Sequence, residues 1–172
     1  MIFLLHIIIQ ISIIIIMLLG VFKKLDDWIQ QENESAFKES AMQLSACSFR
    51  ILGQAALLQS ELTIELRYTA DVDAYTDAEY SIIEQLNFLL KPHGMKYDQL
   101  SAEVWMPEGT VYLPFYAGKR ITVEVAQAEY LLIAKAKLAK EKNKALLAEY
   151  VSKEASDLFF ELAEKYKIDL SF

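Results

Sequence analysis

The chain has 172 residues, 54% of them apolar, which suffices for one domain with a substantial core and is short for two. Its formal charge of −7 argues against a protein that coats nucleic acid, because neutralising phosphates takes concentrated Lys and Arg. One cysteine, Cys47, and two histidines, His6 and His93, exclude an internal disulfide framework and a zinc site of thiolates and imidazoles, so metal chemistry is left to oxygen ligands.

Residues 1–20, MIFLLHIIIQISIIIIMLLG, approach the hydrophobicity of a membrane span. No Lys or Arg precedes this run and Lys23 and Lys24 follow it, the reverse of a signal peptide. Read literally, 1–20 is a leader that tethers a single domain, 21–172, to the inner membrane with its mass in the cytoplasm. The alternative is a mis-assigned start, with Met17 opening the protein before the first amphipathic helix. Membrane attachment is expected only on the first reading, and the domain is cytoplasmic on both.

Phe22, Leu25, Trp28, Ile29, Phe37 and Leu44 then recur with a loosely helical period, predicting one or two covering helices with a break near Asn33 and Ser35. SFRILG (48–53) is an apolar run ended by glycine, a strand feeding a turn, and AALLQS starts a short helix. A second strand runs through DVDAYT. TDAE (76–79) has the form of a capping box and predicts a helix with the stripe Tyr80, Ile83, Leu86, Leu90, ending near Pro92 and Gly94. AEVWM, TVYLPFY and ITVEV read as an antiparallel meander with turns at 107–109 and 117–120. From Gln127 the composition becomes rich in Ala, Leu, Lys and Glu, predicting a closing pair of helices. The pattern predicts an α/β (α+β) fold: a mixed sheet flanked by N-terminal and C-terminal helices.

The segment RYTADVDAYT (67–76) places two acids, Asp71 and Asp73, in a strand. Side chains two apart on a strand share a face, with about 7 Å between their Cα atoms. Such a pair suits Mg²⁺, and metals so held can stabilise the attacking and leaving oxygens of phosphoryl transfer.

With the upstream strand, the turn LGQAAL (52–57) and the short helix, RYTADVD resembles the nucleotidyltransferase-fold superfamily, in particular its small bacterial branch related to AbiE-type abortive-infection toxins. Gly53, Ala55, Ala56, Arg67, Thr69, Asp71, Val72 and Asp73 stand in the places of that branch's pattern, and similarity extends through VEVAQAEYLLIAKAKLA and EASDLFFELAEKYKIDL. The resemblance implies a magnesium-dependent transferase that moves a nucleotide from a nucleoside triphosphate to an acceptor hydroxyl on a tRNA end or a protein, as a toxin with a cognate antitoxin. It further implies that Gly53, Gln54 and Arg67 contact the nucleotide, with Gln54 departing from the Gly or Ser expected there. Asp71 and Asp73 hold metal, Lys135 neutralises the transferring phosphate, and Asp157 orients that lysine. A third metal-binding acid is expected at Glu124, with Glu103 the other candidate. A catalytically inactive nucleotide-binding or protein-interaction module on the same fold is the alternative.

Cys47 reads as a small buried residue and His93 as a solvated loop residue. KAKLAKEKNK, from Lys135 onward, reads as a solvated helix face or as the one basic stretch able to guide an RNA backbone.

Overall fold

The computed structural model describes residues 2–171, with side chains at 14–101 and 103–171. Apolar residues spaced three and four apart, Ile14, Leu18, Val21, Phe22, Leu25 and Ile29, are buried along one side of a single helix, α1 (Ile2–Lys38). The hydrophobic run and the covering helix are thus continuous. The break expected near Asn33 does not occur. Asn33 is buried and uses both ends of its amide on the returning chain, donating to the Leu44 carbonyl at 3.0 Å and accepting from its N–H at 2.6 Å. The leader reading falls largely on side chains 1–13, which lie outside the described ones. Among the described residues no helix is long and apolar enough to cross a membrane.

β1 (Cys47–Ile51) lies at the centre of a four-stranded sheet with β3 (Ala74–Thr76), β5 (Tyr112–Ala117) and β6 (Ile121–Ala126), in the order β3-β1-β6-β5. β1 and β6 are parallel and the other pairs antiparallel, so the predicted mixed sheet is present. Cys47, Phe49 and Ile51 alternate with Ser48 and Arg50, and Ile121, Val123 and Val125 with Thr122 and Glu124; the apolar set is buried. It meets α1, where the Phe22 and Phe49 rings lie 5.4 Å apart. β2 (Asp71–Val72) and β4 (Lys96–Tyr97) form a separate parallel pair. One hydrophobic cluster runs from Ile14 and Leu18 to Phe159 and Leu162 near the C-terminus.

α1 also fastens the β5–β6 turn. The buried carboxylate of Asp26 accepts the N–H groups of Lys119 at 3.1 Å, Arg120 at 2.7 Å and Ile121 at 2.9 Å. A Cβ on Gly118 would stand 2.5 Å from Asp26 Cγ, so this turn needs a residue without a side chain.

Three local expectations are corrected. AEVWM is not a strand: a 3₁₀ turn occupies Gln99–Glu103, capped by Asp98, which accepts the Leu100 N–H at 3.0 Å. The buried Ser101 hydroxyl reaches the Ala74 carbonyl at 3.0 Å, and this local polar satisfaction outweighs the β preference of Val104 and Trp105. The meander reduces to the β5–β6 hairpin, irregular between Pro114 and Tyr116. Thr76 does not cap a helix, because it ends β3 and its hydroxyl donates to the Ser48 carbonyl at 2.7 Å. α3 (Tyr80–Leu90) begins after Glu79 and buries Ile82, Ile83, Leu86 and Leu90, leaving Tyr80 exposed. The closing helices are α4 (Ala128–Lys153) and α5 (Asp157–Lys165), and α4 is kinked at Ala139, where φ is −151° and ψ 51°.

Candidate functional site

The chain passes from β2 to β3 at Asp73, whose carbonyl accepts the Leu52 N–H at 2.8 Å just beyond the end of β1. The alternation that buries Val72 and Ala74 turns Asp71, Asp73 and Tyr75 to the opposite side. Next to Leu52, Gly53 opens the five-residue helix α2 (Gly53–Leu57) with φ +63°, and a Cβ there would stand 2.0 Å from Asp73 Oδ2. Glycine is required at this turn both by its left-handed backbone and by the Asp73 carboxylate that lies over it.

α4 packs on α2 and brings Lys135 to this carboxylate. Burial pushes Asp73 above its ordinary pKa, with Asp98 and Asp71 adding repulsion, while Lys135 and Lys142 oppose the shift. Burial pushes Lys135 below its ordinary value; Asp73 opposes and Lys142 reinforces. An acid and a base each moved toward neutrality beside one another is an arrangement common at functional sites. Beside them is a cleft of about 380 Å³ lined by Gln54, Arg67, Thr69, Lys135, Lys142 and Asn143, among others. Gln54 Nε2 donates to the Arg67 carbonyl at 3.1 Å, holding this wall together. Thr69 Oγ1 accepts the Asp71 N–H at 3.2 Å and so has a structural task at the entry to β2.

Of the residues expected at the site, Gly53 and Asp73 are in contact, Lys135 lies near enough to Asp73 to act on it electrostatically, and Lys135, Gln54 and Arg67 line the neighbouring cleft. Asp71 lies near Asp73 and also pairs with Lys96 at 3.7 Å, an exposed contact of small energy. Other expected residues lie elsewhere. Glu124 pairs with Arg50 at 3.2 Å across the β1–β6 register, and Arg50 lies over the Tyr112 ring. Glu103 is exposed at the end of the 3₁₀ turn. Asp157 is exposed in the first turn of α5, and the carboxylate that acts on Lys135 is that of Asp73.

The acid that acts most on Asp73 is Asp98, which follows β4; nothing in its own neighbourhood of the sequence announces that β4 lies beside β2. Lys142 lies in the basic run that begins at Lys135, but the kink at Ala139 between them means that helical spacing alone does not put the two on one face. His93 is exposed in its turn. Cys47 is buried, and its thiol is pushed up to about 12 by burial and by Asp77, Glu79 and Asp26.

Among the described residues, no three His, Cys, Asp or Glu side chains come together as a metal-binding group. Asp71 and Asp73 alone are a donor set that Mg²⁺ accepts when phosphate oxygens and water complete its octahedron, so they fit a metal that arrives with a nucleotide. No family model, curated protein or solved structure matches the chain.

Proposed function

We propose that the protein is a nucleotidyltransferase that moves a nucleotide from a nucleoside triphosphate to an acceptor hydroxyl on an RNA end or a protein. The observation that carries this reading is the Asp73 carboxylate seated over Gly53, within electrostatic reach of Lys135, which lines the cleft. In the proposed reaction the acceptor hydroxyl gives its proton to solvent as its oxygen attacks the α-phosphorus, the bond to the bridging oxygen breaks, and pyrophosphate leaves. Asp71 and Asp73 would hold Mg²⁺, which when bound supplies positive charge at the phosphate oxygens. Lys135, half-buried and therefore little screened, offsets the negative charge that grows on the transferring phosphate. Arg67, exposed on the cleft wall, binds the phosphate chain. The resemblance around 67–73 suggests a toxin held in check by a cognate antitoxin.

A second reading, a nucleotide-binding module without turnover, is favoured by the Asp71–Lys96 ion pair and by the use of the Gln54 amide on the Arg67 carbonyl. Incubating the protein with Mg²⁺, labelled nucleoside triphosphates and cellular RNA and protein separates the two. Label that appears on an acceptor with the wild type and is lost with Asp71→Ala supports the transferase. Calorimetric binding of Mg-ATP without any transfer supports the second reading, and equal transfer by wild type and Asp71→Ala defeats the proposed site.

A further inference from the structure

We infer that Lys142 is a specificity-determining residue of the cleft, forming with Lys135 and Arg67 a cradle of three cations that takes the terminal phosphates of a nucleoside triphosphate. This inference rests on the nucleotide reading above.

Lys135 and Lys142, on the two sides of the kink in α4, both line the cleft, as does Arg67. The helix is broken between them at Ala139, and the break is braced by Asn143, whose Nδ2 donates to the Ala139 carbonyl at 2.9 Å. Asn143 itself lines the cleft. Lys142 lies close enough to act electrostatically on both Asp73 and Lys135. Two lysines on one wall repel each other, and a polyanion between them and Arg67 removes that cost. Among the residues that line the cleft the three cations outnumber the two acids, Glu65 and Glu149, and Glu149 is also paired with Lys153 at 2.6 Å. A volume of about 380 Å³ is within the range of small-molecule sites and admits a triphosphate chain. Asp73 and Lys135 mark where the α-phosphate would react, so Lys142, one helical segment further along the wall, reaches the far end of the chain.

Displacement of a labelled ATP analogue tests this, with AMP, ADP, ATP and inorganic tripolyphosphate as competitors against wild type, Lys142→Ala and Lys142→Arg. Lys142→Ala should weaken ATP and tripolyphosphate by about tenfold or more and leave AMP unchanged, and Lys142→Arg should retain most of the affinity. Lys142 is exposed, so unfolding temperatures should match and exclude a folding defect. Wild-type affinity in Lys142→Ala, or an equal loss for AMP and ATP, overturns the cradle while leaving the nucleotide reading intact. A wild type that binds neither ATP nor tripolyphosphate overturns both.

Discussion

Replacing Gly53 by alanine puts a methyl carbon 2.0 Å from Asp73 Oδ2 and 3.0 Å from its Cγ, so the carboxylate must leave its place. At φ +63° the new Cβ also strains the backbone by about 1–2 kcal/mol. Turning Asp73 away from its preferred rotamer adds about 1 kcal/mol. The expected loss is about 2–3 kcal/mol, a fall in Tm of roughly 4–12 °C for a chain of this size. In an Asp73→Ala background the clashing atoms are gone and only the backbone part remains, which leaves a coupling of about 1 kcal/mol in the double-mutant cycle. Thermal unfolding of the four proteins by circular dichroism measures this directly. Nucleotide transfer by Gly53→Ala should fall about 100-fold, because displacing a reacting group by an ångström has that effect. An equal stability loss in both backgrounds would mean that Asp73 does not lie over Gly53, and the proposed site would lose its geometric basis.

Asp26→Ala leaves three backbone N–H groups of the β5–β6 turn without their acceptor and should cost about 3 kcal/mol or more in urea unfolding; a loss below about 1 kcal/mol would contradict the fastening role. Because burial, then Asp98 and Asp71, raise the pKa of Asp73, the folded protein holds that proton more tightly than the unfolded chain does. The resulting stabilisation is complete below the ordinary aspartate pKa of about 4 and is lost as pH rises through the raised value. Asp73→Asn does not titrate, so its Tm should gain on the wild type across that window and stay higher at neutral pH, and parallel Tm curves would refute the assignment. With its thiol pushed up to about 12, buried Cys47 should resist iodoacetamide at pH 8 in the native protein and react fully in urea, as read by mass spectrometry.

What the residues determined by themselves is local. The alternation in SFRI and ITVEV, the glycine that ends the first strand, the helical stripes of α1 and α3, and the shared face of Asp71 and Asp73 each follow from a few neighbouring positions, where a period of two or of 3.6 decides which side chains are buried. The strand, glycine and short helix before Asp73 were legible for this reason, whereas Lys135 was singled out only by the resemblance. Capping by Thr76 and a strand at AEVWM were also local inferences, and each was overruled by a partner from elsewhere: the Ser48 carbonyl for Thr76, and Asp98 with the Ala74 carbonyl for the 3₁₀ turn. The tertiary structure alone decided that Glu124 pairs with Arg50, that Asp157 stands in the first turn of α5, and that Asp98 and Lys142 act electrostatically on Asp73. The physical reason is that burial direction is a property of one segment, whereas the charge and pairing of a side chain depend on groups that reach it through strand order and helix packing, and neither is written in the spacing of nearby residues.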